Sequence, residues 1–210
     1  MKLFRIYLPE YWISKNPVTF AVYRRFIKAT PEQAVPYIKE DWAEPYNWEA
    51  RFRSFPADKA EHPIVQVSWY DAVAFCKWAG LQLPTEEQWE KAARGTDERI
   101  YPWGDNEPTD KLLNFNDNVG GTTPVGHYSP QGDSPYGCVD MSGNVLEWCM
   151  NKYNNPEDVA IDESGAGRIL RGGSWFDNKR SACTGFRYSN HPLFRNFNIG
   201  WRVVVCRPSF

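Results

Sequence analysis

From Phe4 to Ile13 (FRIYLPEYWI) apolar and polar residues alternate among aromatic and β-branched side chains, a pattern that predicts a β-strand. Asn16-Pro17 then reads as a helix cap followed by proline at the first helical position. Val18, Val22, Tyr23, Phe26 and Ile27 form one apolar stripe that ends near Lys28. An amphipathic helix is expected there. Residues 31–63 lose all period, are broken by prolines and carry many charges (KEDWAEPYNWEARFR). They predict an irregular excursion over the surface, pinned by Trp42, Trp48 and Phe52. Ser68 is placed to cap a second helix, WYDAVAFCKWA, with Trp69, Ala72, Val73 and Cys76 on one face and Gly80 at its end. Thr85 and Gln88 have capping-box spacing at the head of a third, TEEQWEKAAR, which stops at Gly95 with Arg94 beside the negative end of its dipole.

After Gly95 the pattern predicts no further helix. Short β-prone pieces are divided by Gly, Pro, Asn and Asp, and a final strand is expected from Ile199 to Cys206. Helices thus gather in the first half and strands in the second, which argues for an α+β fold rather than alternating βαβ units. With 210 residues the chain suits one domain, 1–210, around one sizeable core.

Composition sharpens this picture. Ten Trp, 16 Pro and 15 Gly imply packed loops holding large flat side chains, with little regular secondary structure. The 24 basic and 26 acidic residues leave a net charge of −2, which disfavours a nucleic-acid partner. No apolar run approaches the roughly 20 residues of a membrane span, and MKLFRIYLPEYW lacks the apolar stretch of a signal peptide. The five cysteines are odd in number and form no CxxC pair, so free buried thiols in a reducing, cytoplasmic compartment are expected. The strand-like opening FRIYL leaves room for a larger parent protein.

The segments LPTEEQWEKAARG, YPWGD, YGCVDMSGNVLEW, RILRGGSW and IGWRVV occur in that order between about Tyr11 and Val205. Together they resemble the formylglycine-generating enzyme, or sulfatase-modifying factor, domain, and so imply its elaborated C-type lectin fold. In the oxidases of that family two cysteines five residues apart hold copper, a soft ion that takes sulfur ligands. Aligned on Arg187, Cys183 falls on the second of these positions and Asn178 on the first, so no copper is expected. The iron-dependent sulfoxide synthases of the family use three histidines and an additional helical domain. His62, His127 and His191 have no i,i+4 spacing, and no such domain is present in this sequence.

The frame RGGSW to NIGWRVV also resembles the C-terminal segment of variable proteins of diversity-generating retroelements, in which altered side chains form a ligand-binding face. That resemblance implies a variable region at 171–205 and a non-catalytic display protein that binds a protein or other macromolecular surface. Phe176, Asp177, Thr184, Tyr188, Ser189, His191, Leu193, Phe194, Asn196 and Phe197 are its candidate contact residues, among asparagines at 178, 190, 196 and 198. Independently of any resemblance, aromatic and amide side chains of this kind give large contact area and adaptable hydrogen bonding at low entropic cost. Here they show no period of 2 or 3.6, as a core element would. Phe186 is the aromatic expected to be core, with Arg187 and Arg195 as internal braces. The family resemblance further implies one structural Ca²⁺ at Asp140, Gly143, Val145 and Glu147 of DMSGNVLEW, a hard-oxygen set. The alternative is that Asn144 and Glu147 brace the turn by hydrogen bonds. A second calcium site would use Asn114 and Phe115, but the following loop, NVGGTTPVG, lacks the matching Asp. The competing functional reading is a sulfatase-modifying-type oxidase or accessory enzyme acting on cysteine.

Overall fold

The structure, a computed structural model, describes residues 6–206. Three α-helices come first among the described elements: α1 (Phe20–Ala29), α2 (Trp69–Ala79) and α3 (Glu86–Arg94). Strand β1 (Tyr11–Ile13) precedes them, and β2 (Leu146–Lys152), β3 (Arg168–Arg171), β4 (Arg187–Asn190), β5 (Ile199–Gly200) and β6 (Val204–Cys206) follow. The segregation is that of an α+β fold, and most of the chain lies in turns and loops, as its Gly, Pro and Trp content requires.

Strands β4-β3-β2-β5 form one sheet, antiparallel except for the parallel β2–β5 pair. The two-stranded ladder β1–β6 is antiparallel, with Tyr11 opposite Cys206 and Ile13 opposite Val204. It clasps the first described strand to the last. Helices α1 and α2 share the main core with the sheet: Tyr23 and Phe75 meet Trp201, and Tyr23, Phe26 and Phe75 meet one another, with ring centroids 5.4–5.9 Å apart. Trp69, Trp148 and Trp201 are wholly buried in this main cluster. A smaller cluster holds Trp89, Cys138 and Cys149, and a third holds Tyr101, Leu113 and Ala182.

Helices α2 and α3 start as their sequences predict. Ser68 with Asp71, and Thr85 with Gln88, close reciprocal capping boxes. The first helix starts later than expected: Thr19, not Asn16, accepts from the Val22 amide, and Pro17 and Val18 remain extended before it. Threonine at 19 satisfies a first-turn N–H that asparagine at 16 is too far back to reach. The N-terminal strand is also shorter than its alternation implied. Residues 1–5 fall outside the described part, and the described strand begins at Tyr11. The last strand splits, because Ile199 and Gly200 join β2 whereas Val204–Cys206 join β1; the break at Trp201–Val203 turns Trp201 and Arg202 into the core. Of the three anchors expected in the 31–63 excursion, only Trp48 is buried; Trp42 and Phe52 face outward.

One ion pair ties these pieces together. Arg202 and Glu147 are both fully buried; Arg202 Nε and Nη2 donate to the two carboxylate oxygens of Glu147 at 2.7 and 2.8 Å. The remaining Arg202 donors reach the carbonyls of Ser14, Lys15 and Val139 (2.8–3.2 Å), and Trp89 Nε1 donates to Glu147 at 2.8 Å. Removing one partner leaves a buried charge uncompensated, so Glu147→Gln and Arg202→Met should each lower unfolding free energy by about 3–5 kcal/mol in urea titrations. The double variant should lose less than the sum of the two, since the residual charge is gone.

His62 is buried, with Nδ1 2.9 Å from the Thr122 hydroxyl. Burial is the main force holding its ring neutral, lowering its pKa from 6.5 to about 4, with Lys59 adding to the effect. The unfolded chain therefore takes a proton as pH falls through 6.5, while the folded chain resists until about 4. Stability present above pH 6.5 is lost across that window, by roughly 3 kcal/mol at most. His62→Gln should flatten the pH dependence of urea-unfolding free energy between pH 7 and 4.5.

Candidate functional site

The segment from Arg171 to Val205 begins and ends on buried scaffold. Arg171 is fully buried beneath Trp89; its Nη2 donates to Glu90 at 2.8 Å and to the Thr184 carbonyl at 2.5 Å. Gly172 and Gly173 then turn the chain with φ of 90° and 68°, a left-handed path that a side chain would strain. At the other end Ile199 and Gly200 pair with β2.

Between these ends the predicted contact residues divide. Phe176, Tyr188, His191, Leu193 and Phe194 are exposed, with Phe176 57% and Leu193 64% accessible. Asp177, Asn196 and Phe197 are half-buried and reach the same surface, whereas half-buried Ser189 lies on the other face of its strand, toward Gly167, and lines neither depression described below. Thr184 does not reach that surface: it is fully buried, with its hydroxyl bonded to the Arg99 and Ile100 carbonyls at 3.1 and 3.0 Å and its amide to the Ile100 carbonyl at 2.8 Å. It is a scaffold residue, since its carbonyl is also Arg171's acceptor. The segment is not wholly irregular either, because Arg187–Asn190 adds β4 to the sheet edge and so alternates Tyr188 outward. Phe186 packs on the main core, and the two arginines brace as expected: Arg187 on Glu86 at 2.8 Å and Arg195 on Asp71 at 2.5 Å.

Two depressions lie side by side on this surface. The larger, about 630 Å³, is walled by Trp42, Tyr46, Trp175, Phe176 and Phe197 and floored by the loop Val119–Thr122. Its rings form a continuous aromatic wall: Trp42 to Phe197 and Trp175 to Phe197 at 5.2 Å, Phe176 to Phe197 at 5.6 Å. The smaller, about 240 Å³, is bounded by Asp177, Phe186, Tyr188, Phe194, Asn196 and Asn198. The consecutive residues Phe176-Asp177 and Asn196-Phe197 face opposite sides of the ridge between them. Sequence reasoning missed Trp42, Trp175 and Tyr46 as wall residues. Trp42 alone carried a signal, an aromatic residue in a charged, proline-broken stretch.

The loops of this surface are held largely through main-chain atoms. The Asn116 amide bonds the Asp177 carbonyl (2.8 Å), the Gln66 amide bonds that of Asn196 (2.8 Å), and the Trp69 amide bonds that of Pro192 (3.0 Å).

At the place of the oxidase cysteines, Asn178 accepts from the Arg180 amide at 3.0 Å and caps the short 3-10 turn Lys179–Ala182. Cys183, half-buried, packs on the Tyr101 cluster, and its Sγ lies 3.4 Å from the Arg180 carbonyl. The other described thiols lie elsewhere: Cys76 in the main cluster, Cys138 and Cys149 beside Trp89. Burial pushes Cys76 up to about 12 and Cys149 well above the usual thiol range, so neither supplies a thiolate.

The turn Asp140–Glu147 brings the expected calcium residues together, but its charges are already met by the protein. Both Glu147 oxygens face Arg202 and Trp89 donors. Asp140 Oδ2 accepts from the Gly126 amide at 2.9 Å and from Asn144 at 3.5 Å, and desolvation pushes its carboxyl up to about 6. A divalent cation on Glu147 would sit against the Arg202 guanidinium, so the four-residue set does not fit Ca²⁺ while that ion pair stands. Asn144 instead braces the turn through the amide and carbonyl of Thr123, at 3.0 and 3.1 Å. Among the described residues no group of three or more His, Cys, Asp or Glu side chains gathers as a metal cluster, and no helix is long and apolar enough to cross a membrane.

Comparison with known proteins agrees with this geometry. The chain is 39% identical over 164 residues to a Bos taurus protein named inactive C-alpha-formylglycine-generating enzyme 2, covering 70% of this chain and 51% of that one. It is equally 39% identical over 177 residues to the formylglycine-generating enzyme of Thermomonospora curvata, covering 70% of this chain and 57% of the other. The chain thus spans about half the length of the curated relatives it matches. Among solved structures, Treponema denticola variable protein 1 superposes with a TM-score of 0.69 at 23% identity, covering 94% of this chain and 84% of that one, which shows the shared C-type lectin fold. Residues 3–207 match the sulfatase-modifying factor enzyme 1-like domain, and the chain belongs to that family.

Proposed function

We propose that this chain is a non-catalytic binding protein that displays the surface between Phe176 and Phe197 to a protein or other macromolecular ligand. The observation that carries the reading is the sorting of side chains along one short segment. Phe176, Asn178, Tyr188, His191 and Phe194 stand exposed along it, while the residues that hold the loop, Arg171, Thr184 and Ile199, are buried. An aromatic wall beside a small polar depression suits recognition through rigid, amphipathic contact area. Covalent chemistry at the oxidase position would need a second thiol, and Asn178 stands there with its side chain engaged in a cap.

On this reading the exposed positions are the ones rewritten by adenine-directed mutagenesis. Sequencing the gene deeply across natural isolates should find substitutions concentrated at the codons of Phe176, Asp177, Tyr188, Ser189, His191, Leu193, Phe194, Asn196 and Phe197. Arg171, Thr184, Ile199 and Arg202 should stay fixed. A segment invariant throughout the population would sink the display reading.

The non-catalytic part has its own check. Cu(I) titrated under a competing chelator should bind weakly, and a cysteine-containing peptide should drive no oxygen consumption. Tight stoichiometric copper binding abolished by Cys183→Ser would instead establish an oxidase.

A further inference from the structure

Asn198 is more than nine-tenths buried, at 8% exposure, and its Oδ1 has no hydrogen-bond partner although it borders the smaller depression. Its orientation is fixed by a relay of hydrogen bonds. Ser174 Oγ donates its single proton to Asp177 Oδ2 at 2.6 Å and so can only accept from Asn198, whose Nδ2 lies 3.0 Å away. The amide is therefore held with its nitrogen on Ser174, beside the depression that Asn198 lines. A buried acceptor left unpaired is costly.

The charge in the depression has the same sign of need. Asp177 is its only ionisable carboxylate, and among the described residues no ion pair reaches it. Three cations of the same segment pair with other carboxylates: Arg187 with Glu86, Arg195 with Asp71 and Lys179 with Glu107. Phe186, Tyr188 and Phe194 wall the space, and aromatic faces attract cations. A volume of about 240 Å³ is below the roughly 300 Å³ at which pockets begin to hold whole small-molecule ligands, so it suits one side chain.

Resting on the reading of this segment as a recognition face, we infer that the depression is a subsite for a basic side chain of the partner. A lysine ammonium or arginine guanidinium would donate to the Asp177 carboxylate beside Asn198 while its stem lies against the aromatic walls. The subsite belongs to this particular combination of side chains, since Asp177 and Tyr188 are among the positions expected to vary.

The test uses the whole chain, ¹⁵N-labelled, titrated with butylammonium and butylguanidinium chloride, which separate a lysine-like from an arginine-like ligand. Tetramethylammonium, a cation with no N–H donor, is the control. The Asn198 side-chain amide and the Tyr188 backbone amide should shift saturably with one of the two donors. Tetramethylammonium should bind at least about tenfold more weakly, and Asp177→Asn should weaken the donor by a similar factor. Tyr188→Ala, at a half-exposed strand position, should also weaken it without unfolding the chain. No saturable shift, an equal response to tetramethylammonium, or affinity unchanged in both variants would overturn the inference. Failure here with natural variation intact removes only the ligand class, whereas ammonium binding by an invariant segment removes the display reading and leaves the subsite.

Discussion

The fold depends on a buried charge that must be matched. Arg202 reaches the N-terminal carbonyls of Ser14 and Lys15, the Val139 carbonyl and both oxygens of Glu147, while Trp89 completes the carboxylate. Four distant parts of the chain thus converge on two side chains. Hydrophobic contact is non-directional and would allow these loops to slide, whereas a bidentate pair in a dry interior admits one arrangement. With so few regular elements, that directionality supplies registration which long strands provide in other folds.

Legibility in the sequence followed locality. The caps of α2 and α3 were readable because Ser68–Asp71 and Thr85–Gln88 satisfy their own turns within four residues. The α+β order was readable because helical stripes stop at Gly95. What escaped depended on partners far along the chain. The β-prone stretch Ile199–Cys206 could not reveal that Ile199 pairs with Leu146 and Val204 with Ile13, so it looked like one strand. Thr184 looked like a surface polar residue because nothing local shows that Arg99 and Ile100 close over it.

The same division marks the surface between Phe176 and Phe197. Its ends and its exposed aromatic residues were evident from composition, but its walls were not. Trp42 lies more than 130 positions from the segment it faces, and Tyr46 enters through a hydroxyl that accepts from the Thr122 amide at 2.9 Å. Asn198, one of several asparagines in the sequence, becomes distinctive only through the Ser174 relay that fixes its amide.

The main-chain anchoring of these loops has an evolutionary consequence. Asp177 and Asn196 are fastened to the scaffold by their carbonyls, atoms that survive most replacements of the side chain they carry. Heritable change at such positions alters what the loop offers without altering where it runs. Affinity for new ligands can then be explored at little risk to folding, because the mutable atoms and the anchoring atoms are different sets.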